Sequence, residues 1–547
     1  MKETPISPAT KRNWEKLHID GKDRLKARAN KRLSEKRFAP VGYLTDASLR
    51  ALGEKLAEMP GNPMDKLYSL GLGQLMQSGI AEKPHVQAFL SRFSCKIIPE
   101  LLQTELPEGD ALGYLYQMLL PEGKRSENGV YYTPKGVASS LCEGLSFAKG
   151  ERLLDPCCGS GAFFLSLGNA EPGQLYGIDT DETALMIAGI NLLLQYQERE
   201  FTPKLYLFDF LSEKKLPFSA DFDYIVANPP WGQLKEDKHS AFRDRFADFF
   251  IRAYAEAKEN AEIRFLFPES FLRIGAHTDL RRFMLEKGTI EKITLYQRPF
   301  AGVFSGSAEV FFIKKKEDTN VLIKKEGQEP RSVPQSVFSL TAKHIFFFPT
   351  EKEREKLALL QKKAAYTLKD SLFALGIVTG DNKNMLKNEP ADGLEAIFLG
   401  RDISPYALSK PQFYIDFDRK KLQQAAKEEL YRAEEKLVYR FIAKKPVVAY
   451  DDEKRLFLNS ANILIPKIPG MSPKTVMAFL NSAFYGEIYQ LIFGDLKILK
   501  SDLCELPFPK LTPEEDAYFS ALADDAIKGK KGSTEAIDRA VEAYFMQ

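Results

Sequence analysis

Cysteine and histidine are scarce in this chain, with five of each in 547 residues. Cys157 and Cys158 are adjacent, Cys95, Cys142 and Cys504 stand apart, and no C-x-x-C pair occurs. Neither a structural zinc nor a disulfide framework is therefore expected, and a reducing cytoplasm is the natural setting. Long apolar runs are missing too. Nothing approaches the roughly 18 residues of a membrane span, and the opening MKETPISPATKRNWEKL lacks the apolar core of a secretion signal. Net charge is nearly absent: 77 Lys+Arg against 75 Asp+Glu leave +2, so any nucleic-acid surface must come from local segregation. What is present is a globular composition, 44% hydrophobic and 28% charged. At about 150 residues per domain, the length suits three to four domains.

Residues 1–40 hold twelve basic side chains against five acidic ones, a local excess of +7. Such an arm suits a phosphate backbone; a solvated helix face is the plainer alternative. Apolar residues three and four apart in ALGEKLAEM and ALGYLYQMLL predict a small helical domain from Asp46 to Leu120. Near Gly129 the texture changes to short apolar runs alternating with helical stretches, the pattern of an α/β parallel sheet. RLLDPCCGSG, LYGIDTD, DYIVANPPW and RFLFPESFL each read as strand then loop. TLYQRPFAGVFSGSAEVFFIKKK reads as two strands that close the sheet antiparallel, and the charged stretch from Lys314 to Gln335 as a boundary. Beyond it, KPVVAY and LFLNSANILIP are strand-like. Ser472 and Pro473 start an amphipathic helix carrying Val476, Leu480, Phe484 and Ile488, and the last thirty residues read as helical and solvated.

Chemistry concentrates in two motifs. In DPCCGSGAFF, Asp155 ends an apolar strand, and Gly159 and Gly161 allow a tight turn against a ligand. Asp179 ends the next strand, where a carboxylate accepts both hydroxyl hydrogens of a ribose. The missing third glycine, with Ala162 next to Gly161, argues against a dinucleotide whose pyrophosphate must lie close to the helix N-terminus, and an acid at the first strand end suits a cation such as the ammonium of S-adenosylmethionine better than a phosphate. Strand-end capping is the plain alternative for both acids. The second motif is Asn228-Pro229-Pro230-Trp231. Two prolines remove backbone donors and leave carbonyls as acceptors. Asn228 adds a side-chain carbonyl and Trp231 a flat apolar face, so an exocyclic amino group can give both hydrogens while its ring is stacked. Drawing that nitrogen toward tetrahedral geometry directs its lone pair at a methyl donor, with no metal and no covalent intermediate.

GVYYTP, DPCCGSGAFF, GIDTDETAL, LFDFL, NPPW and FLFPESFL, in this order, resemble the S-adenosylmethionine-dependent adenine-N6 DNA methyltransferases, most closely the TaqI type, over residues 129–509. The resemblance implies a Rossmann-like methyltransferase sheet, mostly parallel with an antiparallel last strand. An N-terminal helical domain would precede it, and a mixed α+β target-recognition domain would follow. The corresponding boundaries are a basic and helical region over 1–125, a catalytic domain over 126–335, a recognition domain over 336–515 and a helical tail over 516–547. It further implies that Thr133, Asp155, Gly159, Gly161, Asp179, Asp209 and Phe210 bind the cofactor, Asp209 at its adenine amino group and Phe210 over its ring. In the catalytic tetrapeptide Asn228, Pro229, Pro230 and Trp231, Asn228 and Pro229 would hold the target amino group, with Trp231 and Phe265 stacking on the extruded adenine. Most members carry Tyr or Phe where this chain has Trp231.

After the charged boundary, GIVTGDNKNM, FLGRDISPYAL, KKPVVAYDDEKRLFLNSANILIP and AFLNSAFYGEIYQLIFGDLKILKSDLCELPFP look like the recognition domain of this type. Lys383, Arg401, Lys444, Lys445, Lys497 and Lys500 are its candidate DNA contacts. Extruding a base costs a few kcal/mol, so a second domain that grips duplex DNA makes physical sense. The expected protein is a monomeric, site-specific adenine-N6 methyltransferase of a prokaryotic restriction-modification or solitary modification system. Its partner is double-stranded DNA and not a membrane, and a cognate restriction endonuclease, where one exists, would be encoded separately. The alternatives are a modification subunit needing a separate specificity chain, an RNA or protein-glutamine methyltransferase using the same NPPW chemistry, and a non-catalytic DNA-binding protein. ALGYLYQMLL running into YYTP also looks like type I modification subunits and fused restriction-methylation enzymes, and ATKRNWEKL hints at a helix-turn-helix. Asp20-Gly21-Lys22 and Glu122-Gly123-Lys124 match a nuclease triplet by letters alone, so no cleavage is expected.

Overall fold

The computed structural model describes residues 47–120, 133–212, 214–232, 244–297, 306–494 and 496–547. The basic arm, the helix-turn-helix hint, both nuclease-like triplets and the tyrosines of YYTP lie outside the described residues. The chain forms two units that divide after Ser336.

The first unit is built on a nine-stranded sheet in the order β3-β2-β1-β4-β5-β7-β6-β8-β9. Its strands are β1 (Leu153–Asp155), β2 (Leu175–Asp179), β3 (Lys204–Leu207), β4 (Phe222–Ala227), β5 (Ala257–Pro268), β6 (Thr289–Tyr296), β7 (Ser307–Ile313), β8 (Asn320–Lys325) and β9 (Gln328–Pro334). From β3 to β5 every pairing is parallel, and β7 enters antiparallel between β5 and β6. The expected α/β sheet with an antiparallel late strand is therefore present. The charged stretch after Lys314, read above as a boundary, is built into the sheet up to the division between the units: β8 pairs with β6, and β9 folds back on β8. Val321, Ile323 and Val333 are buried while Leu322, Lys325, Glu326 and Glu329 face water, so this is a half-solvated edge hairpin.

On the N-terminal side of the sheet stand α1 (Ala47–Glu58), α2 (Pro63–Gln77), α3 (Pro84–Leu90) and α4 (Ala111–Leu119). They share one core with α6 (Glu182–Gln195), which follows β2, rather than forming a core of their own; α5 is Lys135–Cys142. Met186, Ile187, Ile190 and Leu193 of α6 face these helices, and Leu185, Ala188 and Leu192 face the sheet. This explains why α6 is apolar on nearly every side. Gly189 permits the approach, since a Cβ there would lie 1.9 Å from Cζ of Phe89. Between β4 and β5 runs α7 (Arg245–Glu256), and α8 is Thr278–Lys287.

The second unit holds a four-stranded antiparallel sheet of Leu372–Leu375, Ala461–Ile465, Lys436–Arg440 and Val448–Asp451. A three-stranded sheet of Phe413–Ile415, Glu395–Phe398 and Leu456–Phe457 shares its apolar core. The amphipathic helix expected from Ser472 is two helices, Pro473–Asn481 and Ala483–Ile492. Ser482 interrupts it with extended backbone (ψ 152°) and caps the second helix by accepting from the Tyr485 N–H. The last thirty residues are helical as expected but carry a buried face: Phe519, Ile537, Val541 and Phe545 are covered, and Phe545 stacks on Phe484 at 4.6 Å. No helix among the described residues is long and apolar enough to cross a membrane.

Candidate active site

β1 sits between β2 and β4, where the chain's direction of travel across the sheet reverses, and such a point opens a crevice beyond the strands' carboxyl ends. A cavity of about 420 Å³ lies there, lined by Thr133, Asp155, Gly159, Asp179, Asp209, Phe210, Asn228 and Pro230 among others. Asp155 ends β1 and is fully buried. Its Oδ1 accepts from the Cys157 N–H at 3.1 Å, while Oδ2 has no hydrogen-bond partner among the described residues. Burial, reinforced by Asp179, holds its carboxyl well above the usual range. Asp179 ends β2 and accepts from the Gly159 N–H at 2.8 Å and the Asp181 N–H at 2.9 Å. Burial outweighs those donors and pushes its pKa up to about 6. An orphaned carboxylate oxygen and two dehydrated acids fit a cation that also offers hydroxyls.

The loop between these acids turns on Gly159 (φ 53°) and Gly161 (φ 86°), a region that disfavours side chains. Gly161 supports the turn without lining the cavity, and its Cβ would lie 3.3 Å from Phe164. Burial also pushes the thiols of Cys157 and Cys158 well up, so both stay protonated. Asp209 follows β3, is exposed, and accepts from the Leu211 N–H at 2.9 Å. Phe210 is buried, with its ring 5.5 Å from that of Phe249 and the Arg252 guanidinium 5.0 Å away.

Asn228 follows β4, and its Nδ2 donates to Oγ1 of Thr133 at 3.1 Å, joining two residues 95 positions apart. Besides Gly161, three candidates lie off the cavity wall. Pro229 is buried and does not line the cavity. Trp231 packs against the core under the sheet, with its Nε1 donating to the Leu266 carbonyl at 3.4 Å. Phe265 is placed differently from a base-facing ring: it is fully buried, 5.3 Å from Phe250 and 5.7 Å from Phe267. Strand alternation turns it toward α7, whose phenylalanines fill that face.

Residues 107–358 match the N-6 DNA methylase family, and residues 395–508 match the TaqI-like C-terminal specificity domain. The type II methyltransferase M.VspI of Vibrio sp. strain 343 is 30% identical over 322 residues, covering 54% of this chain and 76% of that protein. The chain belongs to the TaqI-like N6-adenine DNA methyltransferases. Within this family's reach is also the MjaVII type I methylase subunit of Methanocaldococcus jannaschii, 26% identical over 43% of this chain and 46% of that one. The fold is similar to that of the type IIL restriction-modification enzyme MmeI, solved in complex with DNA. The TM-score is 0.58 at 12% identity, over 90% of this chain and 95% of that one.

In this methyltransferase, sequence reasoning missed the cavity wall formed by Tyr116, Gln117 and Leu120 of the α4 region and by Arg245 and Phe249 of α7. The signal for the first group was a lone carboxamide in an otherwise apolar and aromatic run, ALGYLYQMLL. The six basic candidates are all exposed. Four of them come together because the segments 441–445 and 496–500 pair, with Ala443 N–H donating to the Leu496 carbonyl at 3.0 Å and Ile498 N–H to the Phe441 carbonyl at 2.8 Å. Lys444, Lys445, Lys497 and Lys500 flank that pairing. Lys383 stands on a separate helical turn, Asn382–Met385, and Arg401 is bonded to Gln412 at 2.6 Å.

Proposed function

We propose that this chain is a site-specific methyltransferase that modifies N6 of an adenine extruded from duplex DNA, using S-adenosylmethionine and working as a single chain. The carrying observation is one continuous cavity that joins the strand-end acids Asp155 and Asp179 to Asn228 and Pro230. S-adenosylmethionine, when bound, supplies an electrophilic methyl on a sulfonium. Asp155, with its orphaned oxygen, takes the ammonium; Asp179 takes the ribose hydroxyls; Asp209 and Phe210 take the adenine edge and face. Thr133 orients the Asn228 amide, whose carbonyl oxygen, with a backbone carbonyl of the proline turn, accepts both hydrogens of the target amino group. That nitrogen sheds one proton as its new bond forms. Asn228 is an acceptor and not a base, so the proton passes to solvent. Catalysis then rests on placement and on fixed dipoles. Trp231 and Phe265 would meet the base only after leaving the packing described above.

A second reading, a modification subunit that borrows its specificity, is favoured by similarity to a type I methylase subunit. The TaqI-like specificity domain on this same chain supports the single-chain reading. The purified chain is incubated with labelled S-adenosylmethionine and DNA, RNA or protein, and the modified DNA is sequenced. Label on N6 of adenine in a fixed DNA context is expected; label only on RNA or protein, or none on DNA without a second chain, overturns the proposal.

A further inference from the structure

The α4 wall of the cavity has a role that the strand-end motifs do not assign. α4 is held at both ends by the loops that shape the site. At its start Asp110 caps the helix through the Gly113 N–H at 3.1 Å, and the same carboxylate accepts from the Ser160 hydroxyl and from Nδ2 of Asn191 at 2.7 Å. Asn191 also donates to the Ser160 carbonyl at 3.0 Å, so the Gly159–Gly161 turn is clamped to α4 from above. Near its end the Tyr116 hydroxyl donates to the Asp181 carboxylate. Asp181 in turn caps α6 and gives its own N–H to Asp179. α4 is thus fixed relative to both Asp179 and the glycine turn.

Gln117 lies on this anchored helix, is 6% exposed and lines the cavity. Its carboxamide makes no hydrogen bond to another described residue. The amide, without a partner among the described residues, meets the cavity instead, and native structures keep such polar groups where a ligand or water satisfies them. The flanking positions Leu115, Met118 and Leu119 are apolar and buried, so a hydrophobic side chain would suit the packing at position 117 better than an amide.

We infer that Gln117 binds the cofactor directly, its carboxamide hydrogen-bonding a polar group of S-adenosylmethionine. The inference rests on the methyltransferase reading and adds a contact from the N-terminal helical layer. Tyr116 serves as a positioning residue, acting on Asp179 through Asp181.

The test uses the full chain and S-adenosylhomocysteine, titrated calorimetrically, with thermal unfolding of the ligand-free protein and DNA binding measured in parallel. Failure of the unaltered protein to bind would sink the methyltransferase reading itself. If it binds, Gln117→Leu is expected to raise Kd roughly five- to ten-fold, the loss of one hydrogen bond. The ligand-free Tm should stay level, because the amide has no hydrogen bond to a described residue to lose. Gln117→Met, unbranched and of similar length, repeats the measurement should the leucine misfold. Kd within two-fold of the unaltered protein in both variants overturns the inference. So does unchanged Kd with weakened DNA binding, which would assign the amide to the target base. Repeating the titration with 5′-methylthioadenosine locates the contact: a loss shared by both ligands puts it on the nucleoside, and a loss confined to S-adenosylhomocysteine puts it on the amino-acid end.

Discussion

At the scale of single residues, Asn228 and Asp179 divide the chemistry between target and cofactor. Asn228→Ala removes the amide oxygen offered to the target amino group, and loss of one such preorganised contact commonly lowers kcat by 10²–10³. Single-turnover methylation is expected to fall by about that factor while DNA binding, measured by electrophoretic shift, changes little. Asp179 makes a pH-dependent prediction. Its folded pKa, about 6, lies above the ordinary carboxylate value. In the ligand-free protein it therefore contributes stability below the ordinary value that disappears as pH rises through about 6. Cofactor affinity runs the opposite way, since the carboxylate must be ionised to accept two hydroxyls. Titrations from pH 5 to 8 should show affinity increasing up to about 7 and then levelling, and Asp179→Asn should bind weakly without that step.

Among elements, α6 decides most, because it is the layer shared by the sheet and the N-terminal helices. Gly189 marks the closest approach, against the Phe89 ring. Gly189→Ala forces a Cβ into a ring that is fully buried, and overpacking of this kind costs roughly 1–3 kcal/mol. A lowered Tm is expected in thermal unfolding. Gly189→Ala combined with Phe89→Leu should recover part of it, because the two sites share one space. An unchanged Tm in the single variant would show that the helices dock less tightly than described. The same helix carries Asp181, so its seating bears on Asp179 as well as on stability.

For the whole molecule, near-neutral total charge leaves DNA binding to local clusters. Lys444, Lys445, Lys497 and Lys500 are exposed, and none is in a salt bridge among the described residues. Replacing all four by glutamine should lower the magnitude of the slope of log K against log salt by about 0.9 for each phosphate contact removed. Binding should weaken across DNA sequences alike, because phosphate contacts carry no base information. A variant that loses preference for one site while keeping its salt slope would instead place these lysines at base edges.

The strand-end acids, the glycine turn and the asparagine-proline motif were legible because each depends on a few neighbouring residues: a carboxylate after an apolar run, positive φ at two glycines, a turn without N–H donors. Those local rules located the sheet, its direction and most of one cavity wall. Phe265 shows where such reading stops. Alternation puts it on one face of β5, but only the packing of α7 reveals that this face is core. Ser482 breaks an apparently continuous amphipathic helix, and the charged 314–335 stretch is a strand pair because β6 leaves an edge open to it. Gln117 was hidden for the same reason, since a helix pattern tells which residues are buried and not what buries them. The sequence by itself determined the chemistry at the strand ends, where partners are close along the chain. Which distant residues complete the pocket was decided by tertiary packing, because contacts between α4, α6 and the glycine turn join positions 31 to 81 residues apart.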